Sequence, residues 1–328
     1  MDFWNFFAKR IVQGVIVLFS AITIIFLLRS VTPGNPVDLM VGFDASQQVR
    51  DAVARDLGLN QPIYVQFLTY LQGLLTGDLG YSYISGTSVR TRLLNRLPAS
   101  IELAVAAFVI AVTISIPLGI ISATKRQEPA DYLATMLSLV GISTPNFWLG
   151  IMLVLVASVQ FNLFPTSQRP IGLLPAITLL FDGNTNGIVT WVSHIVLPAV
   201  TLGTYFTALL MRLTRNGMIE ELGKNYVPAL RSKGLPQTLI LYKHVLRNTL
   251  IPIVTVMGLQ LGTLIGGAVV VEAVFAWPGL GTLIINAVNT RDWPLIQGAL
   301  IFVGTSFIMI NFVVDTLYAY INPQVKYQ

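Results

Sequence analysis

The sequence predicts an all-α protein that crosses a membrane six times. Three observations lead there. The 328 residues are 54% hydrophobic and only 11% charged, whereas a soluble domain carries about 25% charged residues. Mean hydropathy is +0.71. The apolar residues gather in runs of spanning length, and the longest polar interruption between later runs is an island at 214–248. There is no cysteine, which excludes disulfides and thiolate metal sites. The net charge of +5 reads as loop topology, so no nucleic-acid partner is expected and membrane lipid is.

A spanning helix needs roughly 17–25 mostly apolar residues. Six runs qualify: about 10–30, 100–123, 132–160, 189–213, 249–273 and 295–320. Lys9 and Arg10 precede the first, which is too long for a signal peptide and lacks a small-residue cleavage site, so it is expected to be retained. The third contains Pro145 and is expected to kink while remaining one helix. A ten-residue apolar stretch at 172–181 is too short to span. With the N-terminus inside, twelve of the 20 Lys and Arg fall on the cytoplasmic side, Lys326 of the C-terminal tail among them. The short outer loops then hold only Arg169 and Arg291, as the positive-inside rule requires. Both termini are expected in the cytoplasm.

This topology divides the chain into a tail and first helix at 1–31, an extracytoplasmic helical cap at 32–98, and a five-helix core at 99–328. In the cap, Gln47–Leu57 places Val49, Val53 and Leu57 on one face, with Gly58 as a stop. Pro62 can start a second helix with Ile63, Phe67, Tyr70 and Leu74 on one face. Val89–Leu97 reads as a third, closed by Pro98.

Small residues recur at four-residue spacing in the second span (Ala107, Ala111, Ser115, Gly119) and in the fifth (Gly258, Gly262, Gly266). Such stripes let helices approach closely, either inside one chain or between two membrane subunits. After the fifth span, Pro278, Gly279 and Gly281 crowd one turn, followed by a short apolar-faced helix and then Arg291 and Asp292. A carboxylate near the hydrocarbon needs a partner. Glu272 is therefore expected to contact Arg291 or the backbone donors of the Trp277–Gly281 turn.

Several chemistries are missing. No phosphate-binding G-x-x-x-x-G-K-[ST] loop, H-E-x-x-H or G-x-S-x-G occurs, so no catalytic residue and no metal site is expected, and the chain reads as no enzyme. His194 and His244 fall on opposite sides of the membrane in this topology. Few charges lie inside the spans: Glu102 is near the outer end of the second and Asp315 near the inner end of the sixth. An ion-coupled secondary transporter, the rival reading, usually carries carboxylate or His relays or paired broken helices at depth. Energy for transport is expected from elsewhere.

The polar island holds the strongest motif. Asn225–Lys233 can form about two helical turns, a length marginal on its own in water. Tyr226, Val227, Leu230 and Leu235 offer an apolar side, and Lys224, Arg231 and Lys233 a basic one. Gly234 permits a left-handed end, and Pro236 follows as a stop.

The stretch NYVPALRSKGLPQTLILYKHVLRNTLIPI resembles the cytoplasmic EAA loop of ABC importer permeases, in particular the peptide/nickel branch. So do TPGNP after the first span, the cap block LGLNQPIYVQFLTYLQGLLTGDLGYSYISGTSV, RLPASIELA, IPLGI, STPNFWLG, HIVLPAVTLG, EAVFAWPGLGTLIINAVNTRDWPLIQG and the final NFVVDTLYAYINP. The resemblance spans essentially the whole chain. Asn225 stands where an acid is usual, Leu230 where alanine is common, and Pro228 lies three residues before Arg231. The resemblance implies a type I importer permease fold in a prokaryotic plasma (inner) membrane. It implies a second homologous permease chain, two ATP-binding cassette subunits that hold ATP and Mg, and an extracytoplasmic solute-binding protein; no cofactor is expected on this chain. Tyr226, Ala229, Arg231, Lys233, Gly234 and Leu235 are the expected ATPase-coupling residues. Glu272, Pro278, Gly279, Gly281, Arg291 and Asp292 are expected at an outer gate or scaffold turn. The substrate class is di- or oligopeptide, with nickel, glutathione or oligosaccharide as alternatives; no substrate-binding residue is identifiable.

Overall fold

A computed structural model describes residues 3–32, 36–42 and 44–321. Pro33–Asn35 of the TPGNP block and the C-terminal tail with Lys326 lie outside the described residues, as does the side chain of Asp315. Among the described residues every element is helical except one isolated bridge between Tyr81 and Ser88. The helices are α1 (Phe3–Val31), α2 (Pro36–Val41), α3 (Gln47–Asp56), α4 (Ile63–Leu75), α5 (Val89–Thr124), α6 (Pro129–Ser143), α7 (Asn146–Leu153, with a π-helical extension Val154–Gln160), α8 (Leu173–Phe181) and α9 (Asn186–Leu222). They continue as α10 (Tyr226–Ser232), α11 (Gln237–Leu239, extended by the π-helical Ile240–Val245), α12 (Leu246–Gly267), α13 (Val269–Val274), α14 (Leu280–Asn289) and α15 (Trp293–Ile321).

Four helices are long and apolar enough to span on their own: α1, α5, α9 and α15. The total reaches six when each bent pair of helices is one span. The third expected span is broken rather than kinked. α6 and α7 meet at 107°, because Pro145 drives the preceding Thr144 out of the helical region, to ψ 122°. The expected stop at Pro98 is also corrected. α5 runs unbroken from Val89 to Thr124, since proline fixes a helical φ and its cost is one lost backbone hydrogen bond and local crowding. The fifth expected span, 249–273, divides into α12 and α13.

The chain forms two compact units, Met1–Pro98 with Gly279–Ile308, and Ala99–Pro278 with Met309–Val325. In the first, Val89 and Leu93 pack with Leu280, Leu283, Ala287, Leu295, Ile296 and Ala299. Gly298 is required by this packing, because a Cβ there would sit 2.5 Å from Val89 Cγ1. In the second, Leu103, Ala107 and Ala111 of α5 pack with Leu202, Phe206 and Leu210 of α9 and with Ile253 and Met257 of α12.

The small-residue stripe of α5 is therefore spent on this chain's own α9. A Cβ at Gly203 would lie 2.8 Å from the Ala107 carbonyl oxygen, and one at Gly119 would lie 2.6 Å from Thr214 Cβ. On α12, Gly258 faces Val314, whereas the space beside Gly266 is open.

Candidate functional site

At 37 residues, α9 is about 55 Å long at 1.5 Å per residue, well beyond a hydrocarbon core of about 30 Å. Its C-terminal end projects and carries the polar island. Glu221, buried one residue from that end, organises the loop. Lys224 Nζ pairs with its Oε1. The Tyr226 hydroxyl donates to Oε2 at 2.8 Å, and Asn248 Nδ2 donates to the same oxygen at 3.4 Å. One carboxylate thus ties the start of α10 to the region where α12 begins. The hydrogen bond to Glu221 raises the Lys224 pKa, so its charge is retained. Burial, and then the Glu221 carboxylate, raise that of Tyr226, so the phenol stays a donor.

Beneath α10 lies an apolar base. Val227 is fully buried with Ile120 and Ala123 of α5, Met218 of α9, and Ile240 and Val245 of the α11 extension. Tyr226, Leu230 and Leu235 pack partly against the same base. This supplies the surface that a seven-residue helix needs in order to persist. The opposite side is open: Pro228, Ala229, Arg231, Lys233 and Gly234 are all exposed. Gly234 has φ +76°, and a Cβ there would meet nothing within 4 Å. The six expected coupling residues thus split into two groups. Tyr226 and Leu235 hold the helix down, whereas Ala229, Arg231, Lys233 and Gly234 face outward.

A second buried carboxylate sits beside this base. Asp131 of α6 receives Arg215 of α9 through Nε at 2.6 Å and Nη2 at 2.9 Å, with Ser122 Oγ at 2.6 Å and the Gln127 amide at 3.0 Å. It fastens α5, α6 and α9 together.

The turn after the fifth span is built differently. Glu272 of α13 is fully buried and accepts a hydrogen bond from Ser100 Oγ at 2.6 Å. The Trp277 amide bonds the Glu272 carbonyl at 2.8 Å, and the Trp277 indole N–H donates to the Ala99 carbonyl at 2.8 Å. Arg169 lies over the Trp277 ring, 5.9 Å from its centroid, while gripping Glu102 with two hydrogen bonds of 2.7 and 3.0 Å. Glu102 also accepts from the Trp191 indole at 3.1 Å. Pro278 is half-buried at the end of this arrangement.

Gly279, Gly281, Arg291 and Asp292 belong to the other compact unit. Gly279 and Gly281 are buried, around the start of α14. Arg291 is exposed at φ 56°, with its amide capping Val288. Asp292 is buried. It accepts hydrogen bonds from Ser82 Oγ and from the Tyr83 amide, the latter at 3.0 Å, and has Arg92 Nη1 at 3.7 Å.

Sequence reasoning passed over Glu221, Asn248, Asp131, Ser82 and Arg92. The only local signals were acids close to a helix end or turn. Their partners lie 27 residues away for Glu221–Asn248 and 210 for Ser82–Asp292, separations that one-dimensional periodicity does not connect.

The chain matches the family model described as binding-protein-dependent transport system inner membrane component over residues 115–327, and the N-terminal model of the same system over residues 3–104. It is 38% identical to the dipeptide transport system permease protein DppB of Escherichia coli K12, over 98% of this chain and 99% of that protein. It is 37% identical to the di/tripeptide permease DppB of Pseudomonas aeruginosa, over 99% of both. It is 38% identical to the glutathione permease GsiC of Escherichia coli K12, again over 99% of both. Among solved structures, the inward-facing MetNI methionine ABC transporter aligns with a TM-score of 0.53 at 16% identity. That alignment covers 70% of this chain and 96% of the solved chain, a likeness of fold.

Proposed function

The chain belongs to the family of binding-protein-dependent transport system inner-membrane components, and on that premise we propose that it carries short peptides through the membrane in an ATP-driven importer. It is a multi-pass inner-membrane transport subunit. The peptide substrate rests on relatives named for dipeptides, for di- and tripeptides, and for glutathione, itself a tripeptide. In this reading a second, homologous permease chain completes the pathway. Two ATP-binding cassette subunits, which hold the ATP and Mg, dock at the polar island, and a solute-binding protein delivers peptide from the opposite side. Both termini and the island are cytoplasmic.

The observation that carries the coupling role is the two-sided build of α10. Its inner side is fixed by Val227 and the Glu221 network, so the helix moves with α5, α9 and α11 rather than alone. Its outer side presents Arg231 and Lys233, neither of which pairs with an acid among the described residues. A partner that pushes on this side therefore moves membrane helices. ATP binding closes the two ATPase subunits, draws the coupling helices together and turns the pathway from inward- to outward-facing; hydrolysis resets it.

The test is reconstitution with the co-purified partner subunits and binding protein in lipid vesicles. The double variant Arg231→Glu, Lys233→Glu should insert and fold yet lose peptide-stimulated ATP hydrolysis and peptide uptake together. Unchanged stimulation in that variant would remove the coupling role from α10. Stimulation by nickel but by no di- or tripeptide would remove the peptide assignment.

A further inference from the structure

The cap helix α4 lies against the first membrane helix. Its Phe67 ring sits between two rings of α1, 6.2 Å from Phe19 and 5.1 Å from Phe26, centroid to centroid. Tyr70 stacks on Phe26 at 5.9 Å. The uncharged part of α1 runs from Ile11 to Leu28, about 27 Å at 1.5 Å per residue, close to the thickness of a hydrocarbon core. Phe26 lies about 3 Å and Phe19 about 13 Å inside the Leu28 end of that stretch, on the same rise. A ring packed against both lies alongside the apolar stretch of α1.

The composition of α4 agrees. IYVQFLTYLQGLL contains no Asp, Glu, Lys or Arg. Beside the stripe that faces α1 runs a second, mostly apolar stripe at helical spacing: Tyr64 is 65% exposed, Leu68 55% and Leu75 88%, with Gln72 exposed among them. Gln66 donates to the Leu59 and Gln61 carbonyls at 3.3 and 2.9 Å, tying the start of α4 to the turn before it. The neighbouring helix α3, QQVRDAVARD, differs in composition: it carries four charges.

We propose that α4 is an interfacial helix seated in the leaflet at the C-terminal end of α1, with lipid acyl chains covering Tyr64, Leu68 and Leu75, and α3 in the water above it. The choice of lipid over a protein partner rests on continuity. Ile24, Leu27 and Leu28 of α1 are exposed apolar side chains of a membrane span in the same half of the helix, and the α4 stripe extends that apolar surface, with Arg29 of α1 at its edge. The helix then holds the segment between α1 and α5 against the membrane.

The absence of cysteine makes the experiment clean. Leu68→Cys and, on α3, Arg55→Cys are each labelled with an environment-sensitive fluorophore in the full-length protein in phosphatidylcholine–phosphatidylglycerol nanodiscs. Nitroxide on the acyl chain should quench the Leu68→Cys label several-fold more than aqueous iodide does, and Arg55→Cys should show the reverse order. Tyr64→Cys provides a second reading on the same stripe should Leu68→Cys express poorly. Equal iodide quenching at both helices would overturn the proposal by placing α4 in water. Shielding of the Leu68 label from both quenchers would overturn it in favour of a protein cover.

Discussion

The polar island and the Trp277 turn are both organised by a buried glutamate, yet they dispose of their remaining charges in opposite ways. In the island, Glu221 satisfies Lys224 and Tyr226, and the cations at the end of α10, Arg231 and Lys233, are left on the surface. At the turn, Glu272 is fully buried against Ser100, and Arg169 is spent on Glu102 and the Trp277 ring. Charges spent inside the chain fix its shape, whereas exposed charges are available to another molecule. Substitutions at the turn should accordingly act on stability, and substitutions on the outer side of α10 on coupling.

The largest expected effect tests the first half of that statement. Trp277→Ala removes a ring with no exposure and its hydrogen bond to Ala99. Truncating a large buried aromatic costs about 3–5 kcal/mol. Thermal unfolding of the detergent-purified protein, followed by size-exclusion chromatography, should show a large drop in midpoint. An unchanged midpoint would mean that the turn is not part of the scaffold.

Next in size is Asp292→Ala. It leaves Ser82 Oγ and the Tyr83 amide without their acceptor. Stranding a buried donor costs about 1–3 kcal/mol. Asp292→Asn keeps an acceptor oxygen in place and should recover part of the loss in the same melting experiment. If both variants melt like the parent, Asp292 does not hold the 82–92 segment.

These two sites also mark how far the sequence could be read. The outward residues of α10 were legible because they are local: a basic run between Pro228 and Gly234, too short to stand alone. The spans were legible from run length. The break at Pro145 was underread, since proline in a membrane helix permits anything from a bend to a full break, and here Thr144 takes an extended conformation. Pro98 was overread for the same reason, because proline also fits a continuing helix. The carboxylate hubs were hidden, because each collects partners from several helices, and only the fold brings Glu221 to Asn248 or Ser82 to Asp292. The small-residue stripe of α5 was visible, but what it packs against required coordinates: Gly203 meets Ala107 inside this chain.

The smallest expected effect on stability is the sharpest test of the second half. Gly234 takes a left-handed φ of +76° in open surroundings, so a substitution there costs only backbone conformational energy. That cost is about 1–2 kcal/mol for most residues and less for Asn and Asp, which visit this region. Gly234→Asn and Gly234→Asp therefore impose a similar backbone cost and nearly the same shape, and differ in one negative charge placed beside Arg231 and Lys233. Both proteins should insert and melt close to the parent. If the basic surface recognises the partner, Gly234→Asp abolishes peptide-stimulated ATP hydrolysis while Gly234→Asn retains most of it. Equal loss in both would mean that the loop is read by its backbone shape. Normal stimulation in Gly234→Asp would mean that this surface, free though its charges are, is not where the motor pushes.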